Sequence, residues 1–132
     1  MGTPARVSLL TVATLSIAAA AAGLLGCAGP GAEIETMVAG GDVDRGRAAL
    51  DGFGCGACHL IPGIPGARGL VGPPLTMFAR RAYIAGQLPN QPDNLIRWIQ
   101  DPQSVEQGTA MPNLGVNPVT ARDMAAYLYT LR

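Results

Sequence analysis

Cys55-Gly56-Ala57-Cys58-His59 constrains this chain more than any other stretch. Two cysteines separated by two residues admit several chemistries. A zinc site needs four ligands, and the folded region offers no further cysteine or histidine after these three. A thioredoxin-like redox pair belongs with a βαβ pattern, which the chain does not show. A structural disulfide across two residues would leave the adjacent His59 unexplained. The remaining reading is covalent attachment of one haem c. On a short helical turn both thiols can form thioethers to the porphyrin vinyls, and His59 then lies beneath the iron as proximal ligand. Gly56 and Ala57 keep the backbone clear of the macrocycle edge.

A haem also answers a problem of size. The region from Asp42 to Arg132 has about 90 residues, too few for a large apolar core. A buried prosthetic group would serve as the missing centre, so the apoprotein is expected to be unfolded or molten. Charge excludes little else. The chain has nine arginines, nine acidic residues and no lysine, so it has no basic patch for nucleic acid and no charge run.

Three segments are expected. Residues 1–26 read as an export signal: Arg6, then an apolar run from Val7 to Leu25. Leu24-Leu25-Gly26-Cys27 resembles the lipobox of bacterial lipoproteins, which implies lipidation at Cys27 and a periplasmic, membrane-anchored product. A cut elsewhere among the alanines, or an uncleaved anchor, is the alternative. Residues 27–41 are Gly/Pro/Ala-rich and read as a flexible tether. Residues 42–132 form the domain.

Within the domain, Asp42 or Asp44 caps a helix running to about Gly52, with Val43, Arg47, Leu50 and Phe53 as a partial apolar stripe. Gly46 costs that helix about 1 kcal/mol relative to alanine, which calls for close approach of another helix. Asn117-Pro118 starts the final helix, where Met124, Tyr127, Leu128 and Leu131 repeat with helical spacing. Two shorter helices are predicted between them, Leu75 to about Ala85 and Pro92 to Gln100, the second with Leu95, Trp98 and Ile99 on one face. Leu60–Pro74 and Asp101–Asn117 read as loops, and no stretch alternates as a strand. The fold class is all-α.

A second axial ligand must come from a methionine, because His59 is the only histidine. Met1 lies in the signal and Met37 in the tether, while Met124 falls on the core face of the last helix. Met111, in a loop and stiffened by Pro112, is the favoured ligand; Met77 is the alternative, with core packing its better role.

These pieces together resemble a class I cytochrome c over residues 42–132. The matching elements are Gly46 and Leu50 before the cysteine motif, then Gly72-Pro73-Pro74-Leu75, Ala110-Met111-Pro112 and Ala126-Tyr127-Leu128. The resemblance implies that the first and last helices cross steeply with Gly46 opposite Tyr127. It also implies that the Pro73 carbonyl holds the second nitrogen of His59. Trp98 and either Arg80 or Arg81 would hold the propionates. Leu75, Leu95, Ile99 and Leu114 would exclude water. The run through Asn94–Pro102 to Met111-Pro112 is similar to cytochrome c domains fused to, or associated with, bacterial terminal oxidases. The copper-site residues of an oxidase subunit II are absent.

The implied function is one-electron transfer in a respiratory chain, with redox proteins as partners and no small-molecule substrate. The alternative is a haem subunit held permanently in an oxidase or dehydrogenase complex. A peroxidase or gas-binding protein would need an open distal site and a spare acid/base group. Lysine is the usual docking charge of such carriers, so Arg68, Arg80, Arg81 and Arg97 would have to substitute for it.

Overall fold

The computed structural model describes Gly2 and residues 37–132, so the expected signal, Cys27 and the first part of the tether lie outside the described residues. Helix α1 spans Val43–Gly52. Asp42, in extended conformation, starts it by accepting the Arg45 amide at 2.9 Å. Three further helices follow among the described residues: α2 (Pro92–Gln100), the one-turn α3 (Pro102–Val105) and α4 (Pro118–Leu128). Asn117 caps α4 through its side-chain oxygen on the Thr120 amide at 3.0 Å, with Pro118 at the first helical position. None of these helices is long and apolar enough to cross a membrane.

The all-α architecture is organised by the packing of α1 across α4. Only Gly46 and Leu50 of α1 are buried, and they face α4. A Cβ at Gly46 would fall on the Asp123 carbonyl group and lie 3.0 Å from the Met124 nitrogen, so the two backbones touch there. This contact offsets the poor helix propensity of glycine. The residue opposite Gly46 is thus Asp123, not Tyr127 as the resemblance implied. Tyr127 lies one turn further on and donates its hydroxyl to the Pro62 carbonyl at 2.6 Å.

A polar clasp closes the same crossing. Buried Asp123 accepts the Asp42 amide at 2.8 Å and the Arg45 guanidinium at 2.8 and 3.2 Å. The Arg45 hydrogen bond, reinforced by the Asp42 amide, holds the Asp123 carboxyl below the usual carboxylate range against the cost of its burial. Ahead of α1, Val38 is buried in the core, and a Cβ at Gly41 would lie 2.8 Å from that of Ala126. From Asp123 to Tyr129 every residue is buried, so α4 ends as a central helix with no solvent face. Helix α2 packs Leu95 and Ile99 inward beside it.

The helix predicted over Leu75–Ala85 does not form. Phe78–Arg80 make a single 3₁₀ turn, and Tyr83–Ile84 (β1) pair antiparallel with Leu88–Pro89 (β2), Ile84 opposite Leu88. Leu75 and Phe78 are buried while Met77 and Tyr83 are exposed, and groups that a helix would pair internally find distant partners. The Leu75 amide goes to the Leu60 carbonyl at 2.8 Å and the Ala79 amide to that of Leu131 at 3.0 Å. The Asn90 side chain donates to the Phe78 and Arg81 carbonyls, each at 3.0 Å. Ala85 and Gly86 both turn through positive φ, 51° and 70°, to reverse the chain between the strands. Tyr129 donates to the Asn90 oxygen at 2.9 Å and meets Phe78 edge-on, and burial pushes its phenol up to about 12. The short α3 also replaces part of an expected loop. Its signal was an aspartate before a proline, the same pairing of cap and first residue that starts α4.

Candidate functional site

Gly54 enters the left-handed region at φ 70° and leads into the 3₁₀ turn Cys55–Ala57. The His59 amide closes on the Cys55 carbonyl at 3.0 Å. This tight turn brings Cys55, Cys58 and His59 to one wall of a cavity of about 350 Å³, within the range of cofactor sites. Cys55 and Cys58 are not joined in a disulfide, and burial pushes the Cys55 thiol up.

The segment after the turn folds back against it. The Gly69 amide donates to the Gly56 carbonyl at 3.0 Å and the Gly72 amide to that of Cys58 at 2.8 Å. A Cβ at Gly56 would lie 2.6 Å from that of Ala67, and one at Gly69 would strike the Ala57–Cys58 peptide. A side chain at Gly72 would occupy the space of the His59 imidazole, 2.6 Å from Nδ1. So close a return places the Pro73 carbonyl 2.8 Å from Nδ1 of His59. A carbonyl only accepts, so Nδ1 is the donor, and in the neutral ring Nε2 is then the nitrogen with the lone pair.

The rest of the cavity is mostly apolar. Leu75, Leu95, Ile99, Met124 and Leu128 are buried core residues that also line it, and Trp98 is half-buried at its wall. Met111, half-buried in the loop before α4, lines the same cavity. Met77 does not: it is 52% exposed with φ 52°, outside the core where packing was expected. The adjacent arginines also separate. Arg81 lines the cavity and Arg80 does not. The Arg81 guanidinium donates to the Pro74 carbonyl and, at 3.4 Å, to that of Thr76, with the Phe78 ring 5.5 Å away. Leu114 lines the mouth, 42% exposed, together with exposed Phe53, Val71 and Tyr83.

Sequence reasoning missed the hairpin wall of Tyr83, Ile84 and Ala85 and the polar lining from Glu106 and Thr109. The Ala85-Gly86 pair was the available turn signal. Among the described residues no three His, Cys, Asp or Glu side chains converge as a metal-ion site. Two thiols, an imidazole with a free nitrogen, and a thioether around an apolar cavity are instead the groups that a covalently held haem requires.

No protein-family model matches the chain. It is similar to cytochrome c oxidase subunit 2 of Alkalihalophilus pseudofirmus, 38% identical over 89 residues, which cover 67% of this chain and 25% of that protein. The chain thus spans about a quarter of the length of that relative, whose name places it in a cytochrome c oxidase.

Proposed function

We propose that the chain is a haem c electron-transfer module that works as a held component of a terminal-oxidase complex. One observation carries the chemistry: Cys55, Cys58, His59 and Met111 line a single apolar cavity, with Nδ1 of His59 committed to the Pro73 carbonyl. The similarity to an oxidase subunit supports a complex component over a free shuttle.

When bound, haem c supplies a one-electron iron couple. Cys55 and Cys58 hold it by thioethers, and His59 offers Nε2 while the Pro73 carbonyl fixes its ring and raises its basicity. Met111 would hold the iron through its thioether, a ligand that favours the ferrous state. Leu75, Leu95 and Ile99 keep water out, which acts in the same direction. Trp98 and Arg81, which line the cavity as Arg80 does not, would hold the propionates. His59 is the only histidine, so its use as ligand leaves none for the proton transfers of a peroxidase. Export and lipidation at Cys27 complete the reading, and mass spectrometry of the mature N-terminus tests them.

The haem assignment is tested by producing the chain with haem c maturation. Material whose haem resists acid acetone is expected, and colourless or extractable material overturns the assignment. Met111→His is expected to lower the midpoint potential substantially, and an unchanged potential removes Met111 from the iron. Native electrophoresis of mildly solubilised membranes should place the chain with oxidase activity. Migration as a free protein overturns the complex assignment.

A further inference from the structure

We propose that Gln103 is a positioning residue that holds the Met111 loop against the cavity, an inference that rests on Met111 being an axial ligand. Gln103 lies on α3, whose single turn is fixed at its start. The Ser104 amide donates to the Asp101 carboxylate at 3.3 Å, the Ser104 hydroxyl donates to the Asp101 carbonyl at 2.9 Å, and Pro102 is buried. From that platform the Gln103 side chain is spent on one target. Its amide nitrogen donates to the Thr109 carbonyl at 2.8 Å and to the Met111 carbonyl at 3.2 Å, while its oxygen accepts the Gly108 amide at 3.0 Å.

The loop's local contacts are longer. The Thr109 amide reaches the Glu106 carbonyl at 3.2 Å, and the Met111 amide reaches the Thr109 hydroxyl at 3.5 Å. The shortest bonds to this segment thus come from Gln103. A thioether is a weak ligand, so its hold depends on how little freedom its backbone must give up. Pro112 restricts the chain after Met111, and Gln103 restricts it before and at Met111.

A merely structural glutamine would affect unfolding alone; a positioning one affects competition for the iron. The experiment uses the ferric, haem-loaded full chain and imidazole as the competing ligand, followed by loss of the thioether-to-iron charge-transfer band. Gln103→Met keeps the side-chain volume and removes all three hydrogen bonds. It should bind imidazole about tenfold more tightly, the scale of one or two net hydrogen bonds. Gln103→Glu keeps only the acceptor for Gly108 and should also bind imidazole more tightly. Asp123→Asn weakens the fold at the α1–α4 crossing, at a residue that does not line the cavity, and should leave imidazole affinity unchanged. Wild-type affinity in both Gln103 variants, with the band present, overturns the proposal and leaves Met111 as ligand. The same result follows if Asp123→Asn weakens the band as much as Gln103→Met does. Absence of the band from the wild type defeats the ligand assignment itself, and the proposal with it.

Discussion

At the scale of single residues, the site depends on what side chains leave room for. Gly72 is the clearest case, because its backbone lies where only hydrogen can face the His59 ring. Gly72→Ala would place a methyl carbon 2.6 Å from Nδ1 and 2.8 Å from Nε2. Overpacking of this kind costs about 1–3 kcal/mol, and here it also displaces the ring from the Pro73 carbonyl. The expected outcome is a lower denaturation midpoint together with reduced haem content. Gly52→Ala is the control: nothing lies within 4 Å of its would-be Cβ, so stability should hold or rise slightly. The cysteine motif was legible because its chemistry is contiguous in sequence. The choice between Arg80 and Arg81 was not, since a 3₁₀ turn that gives way to extended chain decides which of two neighbours lines the cavity.

At the scale of elements, α1 and α4 were readable from their caps, their periodicity and the cost of Gly46. Gly46→Ala improves helix propensity by about 1 kcal/mol, yet its methyl would collide with the Asp123 carbonyl group. Net destabilisation by more than about 1 kcal/mol is expected in urea unfolding, since forced overpacking outweighs propensity. The Asp123 clasp makes the crossing sensitive to pH. Its carboxyl is lowered in the folded state, chiefly by the Arg45 hydrogen bond. Its contribution is therefore complete above the ordinary carboxylate range near about 3.9 and is lost as pH falls through the lower folded value. Asp123→Asn should cost about 1–3 kcal/mol at neutral pH and flatten the acid limb of a stability profile. The segment from Leu75 to Ala85 was expected to be helical but folds otherwise, because Asn90, Leu60 and Leu131 take its backbone groups. Such long-range partners cannot be seen in a local period.

At the scale of the whole molecule, part of the apolar core is turned toward a cavity. Leu75, Leu95, Ile99, Met124 and Leu128 have one side on the core and one on that space. On the proposed function, Cys55→Ala/Cys58→Ala should therefore lose cooperative unfolding by circular dichroism. A native, sharply melting double variant would mean that the polypeptide core suffices alone. The all-α class was legible because the helices that cross stand at the domain's two ends with strong caps. The hairpin was not, being two residues per strand and held by tertiary bonds. There is also a matter of chronology in the seam where glycines 56, 69 and 72 press the returning loop onto the thiol-bearing turn. On the proposed function, porphyrin ligation by Cys55 and Cys58 would come before that seam shuts, and closure would then lock the product in place.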